Sequence, residues 1–305
     1  MADTVFDVAV LGAGVGGYVA AIRSAQLGLS VAIIEQDSRL GGTCLNRGCI
    51  PAKAWLESAE MLYHARHAAD FGVKIPGDAS LDFGVMQDRR ARVVEQLTTG
   101  VASLMKSNKI AVFSGRGVLA SPTVINVKGD DGATTTVNAK YVVLATGSYP
   151  RSLPGLELDG KQVISSDHIW DLQAPPKSVI VLGAGAVGVE FASFFNDVGS
   201  EVTVVEFLPA LVPNEDKDVC TELERQFKAR GIRTLTGAKL LPDTLKKAAD
   251  GITVEVELKD GRQQLAAEVL LVAVGRGANV TDMGLENTKV QVERNTIKVT
   301  EHFQN

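Results

Sequence analysis

The stretch DVAVLGAGVGGYVAAIRSAQLGLSVAIIE at residues 7–35 recurs as SVIVLGAGAVGVEFASFFNDVGSEVTVVE at 178–206. The two align without a gap at an offset of 171, with eleven of 29 positions identical, so an internal duplication organises the chain. Each copy is an apolar run, a glycine-rich turn, a helical segment, a glycine and a second apolar run ending in Glu. Each therefore reads as a β-α-β unit, and the chain as an α/β protein.

A lone G-x-G-x-x-G can be no more than a tight turn between strand and helix, but here both copies carry their full context. Gly12, Gly14 and Gly17 follow the strand Val8–Leu11, and Glu35 closes the next strand; Gly183, Gly185 and Gly188 follow Val179–Leu182, and Glu206 closes its partner. The first glycine permits the turn, the second lets the backbone approach a pyrophosphate, and the third lets helix pack on strand. The helix N-terminus faces the anion, and the terminal Glu accepts from ribose hydroxyls. Two dinucleotide sites are expected. At the second, Glu206 would repel a 2′-phosphate, and Phe207, Leu208 and Pro209 follow it with no Arg, which favours NAD over NADP.

The chain has 305 residues, 45% apolar and 22% charged, with a length prior of about two domains. The net charge of −5 is interspersed, so no basic stripe points to a nucleic-acid partner. The least polar long stretch, Val179–Phe195, is shorter than a bilayer span and contains Glu190, so no membrane span is expected. Asp3 and Asp7 bracket a strand that leaves no room for a leader, and a cytoplasmic location is the default expectation.

Helical periodicity covers 49–69 and 84–107. Strands are expected at 110–120 and 123–128, a turn at Asp130, Asp131 and Gly132, and a strand rising through Tyr141–Ala145. A linker rich in Pro, Gly and Ser covers roughly 149–178. Beyond the second unit come a helix at 216–230, strands near 232–238 and 252–258, a turn at Asp260–Gly261 and a buried strand Glu268–Val274. Strand-like pieces follow at Lys289–Val292 and Thr296–Val299. The domains expected are 1–149, completed by part of 276–305, and 150–275, with 276–305 an incomplete return segment.

Three cysteines are too few for a secreted disulfide framework. Cys220 reads as a partly buried helix residue, whereas Cys44 and Cys49 lie five apart in GGTCLNRGCIPAK at 41–53. In a regular helix that spacing puts the Cα atoms about 8.5 Å apart, too far for a disulfide, so a bond requires an irregular helix start. Gly48 would relieve backbone strain there, and Pro51 suits an early helical position. A helix N-terminus also stabilises a thiolate. The competing readings are two independent buried thiols or half of a zinc site. Zinc would need ligands closer than His64 and His67, which read as an exposed helix face, and no metal is expected. Glu190 occupies the position held by Val19 in the first copy, and Lys53 taken alone is a solvated helix lysine.

The cysteine motif, the duplicated units, LATGS at 144–148 and VAVGR at 272–276 together resemble the pyridine nucleotide-disulfide oxidoreductases. Within them the chain looks most like the branch that oxidises protein-bound dihydrolipoyl groups. The resemblance implies FAD on the first unit: Gly12, Gly14 and Gly17 at the pyrophosphate, Glu35 on the ribose, and Gly42, Thr43, Lys53, Gly117, Thr146, Gly147 and Ser148 along the cofactor. It implies NAD at Gly183, Gly185, Gly188, Glu206 and Gly275. Lys53 would pair with Glu190, Cys44 would exchange with the substrate's sulfur, and Cys49 would be the thiolate that contacts the flavin.

The implied partner is the dihydrolipoyl domain of a 2-oxoacid dehydrogenase complex. Arg47 and Ala52 are variations that the family tolerates, and Ala278 stands where Pro is usual. Family members continue past Asn305 with a further FAD-holding strand and a dimerisation domain carrying a catalytic His. His64, His67, His168 and His302 do not match that context, so poor turnover of lipoamide and loss of the family's homodimer are expected of this chain alone. The other readings are a glutathione- or mercuric-reductase-like enzyme, which Glu206 opposes, and a non-catalytic nucleotide-binding fragment, which bound flavin would oppose.

Overall fold

The computed structural model describes residues 4–305, so Asp3 lies outside the described part. The chain divides into two compact units, one built from residues up to 50 with 92–149 and 277–305, the other from 51–91 and 150–276.

The first unit holds β1 (Val5–Leu11), β2 (Val31–Glu35), β3 (Ala111–Ser114), β4 (Arg116–Ser121), β5 (Val124–Lys128) and β6 (Thr134–Leu144) in one sheet of order β3-β2-β1-β6-β5-β4. The strands β3, β2, β1 and β6 are parallel, with Val8 opposite both Val31 and Tyr141, while β4 and β5 add antiparallel pairs. The helix Val15–Gln26 joins β1 to β2. Alternate residues of β1 enter different cores: Ala9 and Leu11 join Ile34, Leu119 and Ile125, whereas Val8 and Val10 join Ile33 and Met105.

The expected single strand at 110–120 is two strands. Gly115 interrupts it with φ +140°, its N–H donates to the Glu35 carbonyl at 2.7 Å, and a Cβ there would lie 2.4 Å from the Lys128 carbonyl oxygen. Because β3 and β4 stand at opposite ends of the strand order with one residue between them, the sheet curls back on itself at this glycine. The Asp130–Gly132 turn is closed by the Gly129 N–H donating to the Ala133 carbonyl at 2.9 Å.

In the second unit a parallel sheet runs in the order Arg233–Leu235, Glu201–Val205, Ser178–Leu182, Val269–Val272 and Val163–Ser165. The last strand is a correction to the expected linker: Val163, Ile164 and Ser165 are fully buried. A three-residue run among prolines is too short to show a period. Beside it lies an antiparallel meander, Lys239–Ala248, Gly251–Leu258 and Gly261–Ala267. Pro242 disguises its first strand, whose register breaks between Leu241 and Lys246.

The helix Lys217–Ala229 is capped by Asp216, whose side chain accepts from the Asp218 N–H. The helices Cys49–Arg66 and Phe83–Ser107 match the expected spans. Trp55, fully buried, stacks on Phe194 at 4.6 Å and meets Trp170 edge-on at 4.9 Å. Late in the chain the expected strands shorten to a hairpin of Val292–Glu293 with Thr296–Ile297. Among the described residues no helix is long and apolar enough to cross a membrane.

Candidate dinucleotide and dithiol sites

The two glycine turns repeat each other in their hydrogen bonds. Glu35 is buried at the end of its strand; one carboxylate oxygen accepts from the Ala13 N–H at 2.8 Å and the other from the Asp37 N–H at 2.9 Å. Glu206, also buried, accepts from the Ala184 N–H at 2.6 Å and the Leu208 N–H at 2.8 Å. A carboxylate offers about four lone-pair directions, so each oxygen keeps one for a ribose hydroxyl.

The three glycines of each turn have different physical reasons. Gly12 and Gly183 sit at φ +100° and +99°, and a Cβ on either would come within 2.5 Å of the carbonyl oxygen of Ala145 or Ala273. At Gly17 and Gly188 a Cβ would lie 1.9 Å from the oxygen of Gly12 or Gly183. Gly14 and Gly185 need neither exemption: their φ values are −70° and −71°, the only neighbour of a Gly14 Cβ is Gly42 Cα at 3.8 Å, and Gly185 has none within 4 Å. Folding alone does not demand glycine at these two positions, whereas close approach of a phosphate does. The residues therefore fit dinucleotide pyrophosphates.

Around the first turn, Gly42 (φ +58°) presses on Gly14, its absent Cβ only 2.5 Å from Gly14 Cα. Thr146 donates through Oγ1 to the Asn279 carbonyl at 2.9 Å, Asn279 Nδ2 donates to the Thr146 carbonyl at 2.7 Å, and the Asn279 N–H donates to the Gly147 carbonyl at 3.0 Å. Asn279 thus fixes the Thr146–Ser148 turn from 133 residues away, a role with no sequence signal. Ser148 is half-buried. Gly117 is hemmed in by Leu11, Ile34 and Ile125, which accounts for its missing side chain by packing.

In the second unit a cavity of about 780 Å³ opens at the repeated turn. Gly183, Gly185, Glu206 and Gly275 line it, while Gly188 packs beneath the turn. The cavity also takes Phe207 and Leu208, expected only as a stretch without Arg, Arg276 from VAVGR at 272–276, and Lys239, which has no motif around it.

The two close cysteines fall on separate helices. Cys44 lies within Gly42–Asn46, Cys49 begins Cys49–Arg66, and Arg47 ends the first helix with φ −146°. This is the irregular helix start that a five-residue pair requires. Gly48 serves it by space rather than by φ, since a Cβ would sit 2.9 Å from the Thr43 carbonyl oxygen. Pro51 is the third residue of its helix, where no intrahelical bond needs its N–H. Asn46 Nδ2 donates to the Gly42 carbonyl at 3.0 Å, and Arg47 forms an ion pair with Asp37, next to the Glu35 network. Cys44 is half-buried and Cys49 exposed; Cys220 is buried.

Lys53 Nζ donates to Glu190 Oε1 at 2.5 Å, joining two residues 137 apart. Val19, the repeat counterpart of Glu190, is half exposed and makes no comparable demand for charge. His64 and His67 are exposed, and among the described residues no group of His, Cys, Asp and Glu could hold a metal.

A family model described as pyridine nucleotide-disulphide oxidoreductase matches residues 6–305. The dihydrolipoyl dehydrogenase of Bacillus subtilis is 45% identical over 99% of this chain and 65% of its own length. Those of Rhizobium etli and Mycobacterium tuberculosis are 41% and 43% identical, covering 96% and 98% of this chain and 63% and 64% of their own lengths. The chain thus spans a little under two thirds of these relatives. A solved flavoprotein disulfide reductase, RclA of Escherichia coli in its Cu(II) complex, superposes with a TM-score of 0.82 at 25% identity, over 97% of this chain and 62% of that one.

Proposed function

The chain belongs to the pyridine nucleotide-disulphide oxidoreductases, and on that premise we propose that it is a flavoprotein that oxidises protein-bound dihydrolipoyl groups with NAD⁺. The observation that carries the proposal is the cysteine pair on two helices broken at Arg47–Gly48, directly after a complete dinucleotide turn. The identity to dihydrolipoyl dehydrogenases supports the substrate class.

In this reading 1–149 with part of 276–305 forms an FAD domain and 150–275 an NAD domain, each Rossmann-like. Gly12, Gly14, Gly17 and Gly42 would cradle the FAD pyrophosphate, Glu35 would hold its ribose, and Thr43, Gly117 and Thr146–Ser148 would line it. Gly183, Gly185, Gly188, Glu206 and Gly275 would hold NAD. Bound FAD would supply the two-electron link between dithiol and nicotinamide.

The residues' own chemistry is thiol–disulfide exchange. A substrate thiolate attacks Sγ of Cys44, the Cys44–Cys49 bond breaks, and Cys49 leaves as thiolate. The second substrate thiolate then attacks the mixed disulfide, releasing Cys44 as thiolate and the substrate as a cyclic disulfide. Two electrons now rest on the cysteine pair. Cys49 begins a helix, whose dipole favours the thiolate, and Lys53 is assigned as the cation that tunes the flavin, with Glu190 as its counter-ion. The partner is a dihydrolipoyl domain of a 2-oxoacid dehydrogenase complex. A cytoplasmic location belongs to the same reading.

Anaerobic titration of the purified chain tests the proposal. Bound flavin that bleaches with dihydrolipoamide and with NADH, and far more slowly with NADPH, is expected; a colourless protein, or equal response to NADPH, overturns it.

A further inference from the structure

One residue is held where its chemistry resists. Val212 has φ +41°, the only β-branched residue with positive φ among the described residues, and it precedes Pro213, which itself disfavours all but extended backbone at the residue before it. Such strain persists only when the surroundings over-determine it. Here they do. Leu211 on one side is fully buried in the core with Phe191 and Phe227. The Val212 N–H donates to the Ala184 carbonyl at 2.8 Å, and its own carbonyl accepts from the Glu215 N–H at 2.9 Å and from Cys220 Sγ at 3.4 Å.

These bonds lie at the second dinucleotide turn. Ala184 is the middle residue of Gly183-Ala184-Gly185 and gives its own N–H to Glu206. The segment from Phe207 to Asn214 lines the cavity through Phe207, Leu208, Pro213 and Asn214. Its near end is tied by Leu208, whose N–H binds Glu206 and whose carbonyl accepts from the Gly237 N–H at 2.9 Å. Its far end is tied to the glycine turn by the Val212 N–H.

We propose that Val212 is a positioning residue for the dinucleotide: its strained backbone latches the Phe207–Asn214 wall onto the Gly183–Gly185 turn, with Cys220 bracing the latch from the helix Lys217–Ala229. The inference rests on the reading of this cavity as the NAD site. The latch acts through the backbone, so what matters is an N–H presented at positive φ, not the valyl side chain. Glycine reaches that conformation without strain and keeps the N–H, whereas proline can supply neither.

Calorimetric titration of the full chain with NAD⁺ tests this in three forms. Val212→Gly is expected to bind within threefold of the parent, and Val212→Pro at least tenfold more weakly with its flavin content unchanged. Val212→Pro binding within threefold of the parent, or Val212→Gly falling as far as Val212→Pro, overturns the proposal. Should Val212→Pro fail to fold, hydrogen exchange in the parent decides: the Val212 amide slows at least tenfold when NAD⁺ binds if the latch positions the wall, and is indifferent to NAD⁺ if it does not. A parent that binds no NAD⁺ removes the reading of the cavity and the latch with it; a parent that binds beside an unaffected Val212→Pro removes the latch alone.

Discussion

Glu35 and Glu206 grip their glycine turns through the same pair of bonds: each accepts the N–H of the alanine between the first two glycines and the N–H two residues beyond itself. The duplication therefore extends to the second layer of each site. It also gives the carboxylates a structural role beside the ribose contact proposed for them, and on that proposal their replacement should separate the two cofactors.

Hydrogen bonds to a charged group are worth about 1.5–3 kcal/mol each, so Glu206→Gln is expected to weaken NAD⁺ binding by roughly 10- to 100-fold. Flavin content should stay as in the parent. Glu35→Gln should do the reverse, lowering retained flavin while leaving NAD⁺ affinity intact. Absorbance and calorimetry read both; parallel loss of both cofactors in either variant contradicts the assignment.

Gly185 distinguishes ligand from fold. Alanine there meets no neighbour, and as a helix N-cap it costs no more than about 1 kcal/mol relative to glycine. Gly185→Ala should therefore melt near the parent yet lose NAD⁺ binding, since its methyl group stands where a phosphate must approach. Gly188→Ala, with a Cβ 1.9 Å from the Gly183 oxygen, should lose the fold of the second unit. Thermal melts alongside NAD⁺ titrations check this contrast.

The Lys53 side chain is 57% and the Glu190 side chain 36% exposed, so solvent screening holds their pair to under about 1 kcal/mol of stability. Glu190→Gln should leave the melting temperature nearly unchanged while slowing flavin reduction about tenfold or more, a barrier increase of about 1.4 kcal/mol. A melt that falls steeply without a kinetic change would make the pair a structural strut.

Acid sensitivity has a local source in Asp159. Burial alone would raise its carboxyl, but the Lys247 ammonium at 2.6 Å and the N–H groups of Lys161, Val163 and Gln162 outweigh it and hold the pKa at about 2, below the ordinary 3.8. A lowered carboxylate pKa stabilises the folded state in full above about pH 3.8, and that stabilisation is lost as pH falls toward 2. The gap in urea midpoint between parent and Asp159→Asn should be constant above that window and narrow within it. A gap that widens on acidification contradicts the sign.

Legibility in the sequence followed contact range. Both β-α-β units, the helix starting at Cys49 and the Asp130–Gly132 turn are written in local periods and turn residues. The strand Val163–Ser165 was not, because its identity comes from pairing with Leu270–Val272 rather than from its own three residues. The break at Gly115 looked like one strand because the apolar runs Ile110–Phe113 and Val118–Ala120 flank it closely, while the positive φ that separates them is a backbone angle. At the sites, the glycine triplets announced themselves, but Asn279, Arg47–Asp37 and Val212 act through contacts made only on folding, and Val212 through a backbone angle that no composition reveals.

On the proposed function, Cys44 and Cys49 form one redox couple. Its most direct test is thiol counting by mass spectrometry on the native chain, before and after anaerobic dihydrolipoamide. The expected result is two new alkylatable thiols per chain, on Cys44 and Cys49, with buried Cys220 unlabelled until denaturation; an unchanged count, or labelling of both cysteines before reductant is added, would contradict it.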